Sequence, residues 1–387
     1  MNKIAETREA HERELHPLSL VLDASPLLLR SAGVKNYVYY WARSLAEHAG
    51  VNRRLSLFPF LRLPDGVSHE TSSLGRAATW ERLGLLFAAR LSPYPILNWV
   101  TPASSIFHAS HLIEHPPHRS RLTSTIYDMT CWLMPELHTA ATVKASKRVA
   151  NRLFQPAAGL IAISECTRVD AVRLLGLRPE KIEMIYPGIA PEFFEAGQET
   201  SRAVARRYGL AKPYALYVGS IEPRKSLGIL LDAWLDLTRD IRDEFDFVVA
   251  GPWGWGERSV YDRLQSGIPG VRYVGYVPEH DLPALTAVAT IFAYVSLYEG
   301  FGLPVAQAMA AGVPVLTSNV SSLPEVVGDA GLLVDPRSRE EIRAALQRLL
   351  VTPALRSRLS ELGRRRARQF TWAECARKSW DFFERVA

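Results

Sequence analysis

The sequence predicts an α/β protein with two domains, each a Rossmann-like parallel sheet covered by helices. The chain has 387 residues, which is more than a single hydrophobic core usually serves. Short β-branched and aromatic runs alternate with longer helical patterns along most of the chain, as they do in successive βαβ units. A segment rich in proline, glycine and polar residues, 187–205, separates two such series. We therefore expect two sheets with a domain boundary in this segment.

Apolar runs in the first half predict six strands, enough for one Rossmann-like sheet. These runs are residues 18–24, 55–60, 105–110, 124–129, 159–164 and 181–186. We expect them to belong to an N-terminal domain of residues 1–195.

The second half repeats this pattern and predicts a second Rossmann-like domain of residues 196–369. Its strand candidates are residues 214–220, 245–251, 271–276, 291–296, 313–318 and 331–335. The last segment, 370–387, has a helical pattern with an apolar stripe of Trp380, Phe382 and Phe383. Because such a stripe needs a covering surface, we expect this helix to pack back toward the N-terminal domain.

Composition excludes several classes of protein. Apolar residues make up 48% of the chain and charged residues 22%, as in globular and not in disordered chains. No run of about 18 uncharged apolar residues occurs, and the polar segment 1–17 does not resemble a secretory signal, so we expect a cytoplasmic protein. The three cysteines, Cys131, Cys166 and Cys375, lie far apart, so we expect small core residues and no disulfide framework or zinc site.

The formal charge of +6 fits an anionic ligand, an acidic membrane surface at the inner face, or neither. The basic run 363–368 lies in a helical pattern, where a solvated helix face is favoured over a lipid or nucleic-acid contact. Trp80, Trp99 and Trp132, with arginines nearby, allow a peripheral membrane contact, but we expect them to pack internally. Basic and aromatic residues do not interleave as a nucleic-acid platform requires, so we expect no nucleic-acid partner.

Ligands of parallel sheets bind where strands end, so the loops after the strands are the places to look for a site. The turn LYEGFG follows strand 291–296 and precedes a helix that begins near Leu303. Gly300 and Gly302 allow close approach of the backbone to an anion, and a helix N-terminus suits a phosphate. Because many such turns are structural, this geometry alone does not identify a ligand.

A second loop, after strand 214–220, carries Glu222, Pro223, Arg224 and Lys225 directly before a helix. Two adjacent cations at this place can neutralise a diphosphate. That Arg224 and Lys225 are only solvated surface charges is the less favoured interpretation, because a cation is repelled by the positive end of the helix dipole at an N-terminus. A third loop after strand 245–251 is rich in glycine, with Gly251, Gly254 and Gly256.

From 214 to 336 these motifs resemble the donor-binding domain of retaining glycosyltransferases of family 4, which have the GT-B fold. The resemblance covers about a third of the chain, and EGFGLP (299–304) followed by a helix of small residues is its most specific motif. The N-terminal half is similar more loosely, through Gly33 and the helix after it, the strand TIYDM and the segment ISECTRVD.

The resemblance implies a nucleotide-sugar donor in a central cleft, bound mainly by the C-terminal domain. Arg224 and Lys225 match the basic pair that binds the diphosphate, and Glu299 matches the residue that bonds hydroxyls of the transferred sugar. Gly33 matches a loop that approaches the phosphates, and Val277 falls where the backbone reads the base. Further donor contacts are implied at Gly219, Ser220, Gly251, Gly300, Phe301, Gly302, Leu303 and Gln307.

The sequence departs from the family pattern at three positions. Gln307 stands where a second glutamate contacts the ribose, Ser220 where many members have an arginine, and Tyr127 where many have a histidine before the aspartate, here Asp128. Tyr127 and Asp128 remain candidates for the sugar side of the site. His111 is either a cleft residue or an ordinary surface histidine.

The implied reaction is retaining transfer of a hexose to a hydroxyl of a saccharide or lipid-linked saccharide, with GDP-mannose the favoured donor. Cations and N–H dipoles stabilise the leaving diphosphate, so we expect no metal and no cofactor, and Glu299 positions the sugar without acting as a base. Loops 61–80 and 111–122 are expected on the acceptor side. A UDP-sugar transferase of the same fold, or a non-catalytic nucleotide-sugar-binding partner of another transferase, remain the alternatives.

Overall fold

The computed structural model describes residues 17–30, 33–60, 62–68, 70–92, 94–255 and 258–387. The polar N-terminal segment discussed above, up to residue 16, and Gly256 lie outside the described residues.

The chain divides into two compact units. The first comprises the described part of residues 1–163 together with Thr167–Gly188 and Trp372–Ala387. The second comprises Ser164–Cys166 and Ile189–Thr371. The boundary after Gly188 falls in the segment rich in proline and glycine.

The first unit contains a six-stranded parallel sheet with the strand order β2-β1-β3-β4-β5-β6. The strands are β1 Leu18–Asp23, β2 Arg53–Phe58, β3 Ile106–Ala109, β4 Arg121–Ile126, β5 Gly159–Ala162 and β6 Ile182–Met184. The helices along this part of the chain are α1 Gly33–Glu47, α2 Arg76–Leu91, α3 Leu97–Val100, α4 Thr130–Leu133, α5 Ala140–Val149 and α6 Glu165–Leu175. Short 3-10 turns at Ser25–Leu28, Pro135–Leu137 and Pro179–Lys181 and a π-helical turn at Ala150–Phe154 complete it. Strands β3 and β5 are buried at every position, as helices on both faces of a parallel sheet require.

The second unit repeats the design with the strand order β12-β11-β10-β7-β8-β9. Its strands are β7 Tyr214–Val218, β8 Asp246–Ala250, β9 Val271–Gly275, β10 Ile291–Tyr294, β11 Val315–Ser318 and β12 Gly331–Val334. Its helices are α7 Glu192–Glu195, α8 Gln198–Arg207, α9 Leu227–Leu235, α10 Arg239–Glu244, α11 Arg258–Gln265, α12 Leu282–Ala287, α13 Leu303–Ala310, α14 Leu323–Val327, α15 Arg339–Val351 and α16 Pro353–Ala367, with a 3-10 turn at Pro223–Lys225.

The predicted α/β class and the twelve predicted strands are confirmed in the described residues. The largest displacement is three residues, at β4, which was predicted at 124–129 and spans Arg121–Ile126. It arises because Arg121 pairs with Ile106 of β3, so the backbone ladder begins before the apolar run does.

The C-terminal helix α17, Trp372–Val386, packs against α1 within the first unit. Two indole N–H groups join the helices: Trp41 Nε1 donates to Ser379 Oγ at 3.0 Å, and Trp380 Nε1 donates to the Leu45 carbonyl at 3.1 Å. The predicted aromatic stripe is the buried face of α17, because Trp380, Phe382 and Phe383 are all at most 4% exposed.

The basic run 363–368 is more than a solvated face. Arg364 Nη2 donates to the carbonyl of Ala311 at 3.2 Å, and Arg366 Nη2 donates to the carbonyl of Glu325 at 2.6 Å. Cations near a helix C-terminus bond to its last carbonyl groups and interact favourably with the negative end of the helix dipole. This part of α16 therefore anchors the C-terminal ends of α13 and α14.

Internal packing was the wrong expectation for two of the three tryptophans. Trp80 is 74% exposed and Trp99 is 67% exposed, whereas Trp132 is half-buried. The face of α2 that packs inward is the one that carries Ala89, half a turn from Trp80. Cys131 and Cys375 are buried as predicted, and Cys166 is partly exposed. None of the helices in the described residues combines the length and the apolar character that crossing a bilayer requires.

Replacing Trp380 with alanine should lower the free energy of unfolding of the first unit by about 3–5 kcal/mol, because a fully buried indole and its hydrogen bond are lost. Lys378→Ala in the same helix is the control, since the Lys378 side chain is 39% exposed and should change stability by less than about 0.5 kcal/mol. Urea denaturation followed by circular dichroism measures both values. Equal effects of the two substitutions would contradict this packing.

Candidate functional site

The second sheet reverses its strand order between β10 and β7. The chain starts at β7, continues outward through β8 and β9, and then returns to the other side of β7 with β10. Crevices outside the carboxyl ends of strands at such switch points are the usual ligand sites of open parallel sheets. The loops that follow β7 and β10 are therefore the candidate site of this unit.

These two loops are bonded to each other through the carbonyl of Arg224. That oxygen accepts hydrogen bonds from Leu297 N at 2.8 Å and from Ser296 Oγ at 3.1 Å. The bonds bring the predicted cations and Glu299 together, although they are more than seventy residues apart in sequence.

Two cations and two carboxylates form a compact group, which we call the charge cluster: Glu222, Arg224, Lys225 and Glu299. Arg224 Nη1 lies 2.6 Å from Glu299 Oε1, and its Nη2 lies 3.3 Å from Glu222 Oε2. Lys225 Nζ lies 3.8 Å from Glu222 Oε1 and donates to Ser220 Oγ at 2.9 Å. The four side chains are only 10–14% exposed, so these pairs are little screened by water.

One oxygen of Glu299 is held firmly while the other is available. Oε1 accepts from Tyr294 Oη at 2.7 Å and from Ser296 Oγ at 2.9 Å, and it also pairs with Arg224. The backbone of Glu299 is fixed as well, since its N–H donates to Ser321 Oγ at 3.0 Å. No described residue donates a hydrogen bond to Oε2. That oxygen can accept one from a ligand hydroxyl.

Burial alone would raise the pKa of Glu299, but neighbouring groups outweigh it. The charges of Arg224 and Lys225 and the hydrogen bonds from Tyr294 and Ser296 together lower the pKa below its ordinary value. Glu299 is consequently a carboxylate at neutral pH and accepts hydrogen bonds without acting as an acid.

Burial also lowers the pKa of Lys225, and the charge of Arg224 lowers it further, whereas the charges of Glu222 and Glu299 act in the opposite direction. An ammonium that is poorly solvated gains more from a new anionic partner than a solvated one does. Lys225 is thus suited to binding an anion.

Glycines let the loops of this site approach closely. Gly251 has φ of 142°, and a Cβ at this residue would lie 2.1 Å from the carbonyl oxygen of Gly219. A Cβ at Gly219 would lie 3.1 Å from Lys225 Nζ. The contact between the loops after β7 and β8 therefore requires glycine at Gly251 and leaves little room for a side chain at Gly219.

The EGFG turn is built as predicted, with α13 beginning at Leu303. Gly302 has φ of 94°, and a Cβ there would lie 2.6 Å from Leu323 Cδ2. Phe301 is 2% exposed and packs edge-on against Phe370. Gly300 is likewise buried.

Gln307 and Val277 are two further predicted donor contacts. Gln307 lines a small apolar pocket with Phe193, Val218 and Phe292. Val277 is 3% exposed and follows β9, which is separated from β7 by β8.

In the first unit the strand order reverses between β1 and β3, and the predicted residues lie at the same edge. His111 follows β3 and is exposed, whereas Tyr127 and Asp128 follow β4. Asp128 Oδ1 accepts from the N–H of Thr130 at 3.0 Å and from its hydroxyl at 2.7 Å, so it is bonded to the first residue of α4. Gly33 opens α1, and a Cβ there would meet no atom of the described residues within 4 Å, so packing among those residues does not require this glycine.

Sequence reasoning missed Asp23, which joins the loops after β1 and β3. Its Oδ1 accepts from Ser25 N and its Oδ2 from Ser110 N, both at 3.0 Å, and the two serine hydroxyls bond to the same oxygens. Burial raises the pKa of Asp23 although these hydrogen bonds act against it. The signal was a carboxylate at the end of the apolar strand LSLVLDA, a place where a buried charge needs partners.

Tyr294 and Ser296 were also missed as residues that orient Glu299. Both lie in or directly after the buried strand IFAYVS, where a hydroxyl must find a partner. The described residues contain no group of three or more His, Cys, Asp or Glu side chains arranged to hold a metal ion.

Known proteins are similar to this chain in sequence and in architecture. Residues 203–366 match the family described as glycosyl transferases group 1. The chain is 34% identical to O-antigen chain mannosyltransferase B of Escherichia coli over 372 residues, which cover 92% of this chain and 97% of that protein. It is 30% identical over 250 residues to the MMP alpha-(1->4)-mannosyltransferase of Mycolicibacterium hassiacum, covering 63% of this chain and 57% of that protein.

Solved structures give the fold. HepE of Anabaena, crystallised in complex with UDP and glucose, matches with a TM-score of 0.72 at 17% identity, covering 95% of this chain and 100% of that one. Sucrose-phosphate synthase of Thermosynechococcus elongatus matches with a TM-score of 0.70 at 19% identity, covering 96% and 99%. The chain therefore has the two-domain Rossmann-like GT-B fold predicted from its sequence, and it belongs to the glycosyl transferases group 1, a family of glycosyltransferases.

Proposed function

We propose that the chain transfers mannose from GDP-mannose to a hydroxyl of a saccharide or lipid-linked saccharide, with retention at the anomeric carbon, as a family 4 enzyme. The observation that carries the proposal is the charge cluster at the switch point between β10 and β7. Mannose is supported by the names of relatives, among them one that is similar over almost its whole length.

In this proposal Arg224 and Lys225 bind the diphosphate of the donor. The cluster has two cations and two carboxylates and is neutral as a group when no ligand is bound. Glu222 and Glu299 hold Arg224 and Lys225 in position before the donor binds. The incoming diphosphate then competes with these two carboxylates for the same hydrogen-bond donors.

Glu299 positions the transferred sugar. Its Oε1 is held by Tyr294, Ser296 and Arg224, which leaves Oε2 to accept a hydrogen bond from a sugar hydroxyl. Because the pKa of Glu299 is lowered, it remains an acceptor throughout the reaction.

The bond that breaks joins the anomeric carbon to the diphosphate oxygen, and its electron pair stays on that oxygen. Negative charge therefore grows on the phosphate next to Arg224 and Lys225, where preorganised cations stabilise it. The acceptor hydroxyl forms the new bond on the same face of the sugar, and its proton passes to the leaving phosphate. No side chain serves as a covalent nucleophile in this scheme, and neither a metal nor a cofactor takes part.

Lys225→Ala should reduce GDP release from GDP-mannose at least about 100-fold, since a cation next to the developing charge is lost. The assay supplies a panel of mannose-containing saccharides as acceptors and compares GDP-mannose with UDP-glucose and ADP-glucose. Arg239→Ala is the matched control, because Arg239 is 86% exposed on α10 of the same unit.

Three results would contradict the proposal: activity of Lys225→Ala within twofold of the unmodified chain, release from a UDP-sugar only, or binding of GDP without release from any donor. The second result would favour a UDP-sugar transferase, and the third a non-catalytic binding partner.

Glu222→Gln should strengthen GDP binding about three- to tenfold, because it removes the charge that competes with the diphosphate for Arg224 and Lys225. Isothermal titration calorimetry measures the dissociation constant. Glu340→Gln, at a side chain that is 75% exposed, is the control and should leave binding unchanged. Weaker binding to Glu222→Gln would show instead that this carboxylate holds the two cations in place.

A further inference from the structure

One segment of the first unit exposes far more apolar surface than its neighbours. This segment consists of residues 76–92, which contain α2, and 94–100, which contain α3. Six large side chains of this segment are 44–74% exposed. They are Trp80, Phe87, Leu91, Tyr94, Trp99 and Val100, and we call them the apolar face.

The apolar face is not the packing side of α2. Trp80, Phe87 and Leu91 are spaced by seven and four residues, so they form one stripe along the helix. Ala89, the buried residue of α2, lies half a turn away from this stripe. Since α2 already has a packed inner side, the outer stripe is available to something outside the unit.

The two helices belong to one surface. Leu85 of α2 and Val100 of α3 line the same cavity of about 540 Å³, beside the edge strand β2. Leu85 lies on the packed side of α2, so the cavity joins α2 to α3 on their inner side, and the exposed side chains of the apolar face follow one another within a single segment of the chain.

A cluster of cationic side chains adjoins the end of α2. Arg90 of α2 pairs with Glu114 at 2.9 Å, and Glu114 also pairs with Arg148 and Arg152, each at 3.0 Å. Three arginines share one carboxylate, which leaves an excess of two positive charges. The segment 140–154, which provides two of these arginines, also has two lysines and no acidic residue.

Arg90, Lys144, Lys147, Arg148 and Arg152 are together called the basic border. We propose that the apolar face and the basic border bind the surface of an anionic phospholipid bilayer. Trp and Tyr combine an apolar ring with a polar group and favour the boundary between lipid and water. Basic side chains near an anionic surface add attraction at each charge, and apolar side chains then enter the headgroup region.

Charge also argues against a second copy of this chain as the occupant. A twofold contact places the same patch on both subunits, so the net positive charge of Arg90, Arg148 and Arg152 would enter the contact twice. That arrangement is repulsive, whereas an anionic bilayer neutralises the same groups.

Sedimentation with vesicles tests the proposal. The full chain is mixed with vesicles of phosphatidylcholine alone, or of phosphatidylcholine with about one-third phosphatidylglycerol. No nucleotide sugar is present, so the outcome is independent of the proposed transfer reaction. We expect binding to the anionic vesicles, weak binding to the neutral ones, and loss of binding at high salt.

Trp80→Ser with Phe87→Ser should lower the partition coefficient on anionic vesicles at least tenfold. The matched control is Val169→Ser with Val351→Ser, which removes two apolar side chains that are 48% and 55% exposed elsewhere. Lys144→Glu with Lys147→Glu tests the basic border on exposed side chains and should also lower binding at least tenfold. Thermal unfolding establishes that each variant is folded. If the double serine variant does not fold, vesicle binding by the double lysine variant tests the proposal.

Three outcomes would overturn the proposal. They are no binding of the unmodified chain to anionic vesicles, binding that both variant pairs leave unchanged, and a dimer in light scattering that the serine pair converts to monomers while vesicle binding is absent.

Discussion

The burial of opposite charges where β7 and β10 end is the interaction on which the rest of the second unit depends. Arg224 and Glu299 come from different βα loops, and their contact of 2.6 Å is formed with side chains only 14% and 13% exposed. Removing one member of a buried ion pair typically costs about 3–5 kcal/mol, because the other charge is left without a partner. The surrounding hydroxyls and backbone bonds are arranged to satisfy these charges.

The switch point of the sheet explains why the cluster forms there. Because β7 lies between β10 and β8, the loop that carries the cations has a neighbouring loop on either side. On one side Ser296 and Leu297 bond to the carbonyl of Arg224, and on the other Gly219 and Gly251 make a contact that excludes a side chain. Loops bonded and packed in this way hold the cations in place. The cations can then stabilise developing charge without moving at the moment of reaction, as the proposed transfer requires.

Much of this arrangement could be predicted from sequence, because strands buried on both faces are apolar runs and loop glycines mark close approaches. Arg224, Lys225 and Glu299 were predicted as one site from motifs in separate loops. The hydroxyl partners of Glu299 were not, although Tyr294 and Ser296 are close to it in sequence, because an apolar run shows that a residue is buried but not which atom its hydroxyl meets. The same limit applies to Asp23, whose second oxygen is satisfied by a serine 87 residues away. The exposure of Trp80 was mispredicted because helical periodicity shows that a face is apolar but not what covers it.

A crystal structure of the chain with GDP bound is the most direct test of the central claim. We predict that the diphosphate lies at the carboxyl ends of β7 and β10, with phosphate oxygens within hydrogen-bond distance of Arg224 and Lys225, and that both cations have turned away from Glu222. A nucleotide bound elsewhere, or one that leaves all the pairs of the charge cluster intact, would contradict it.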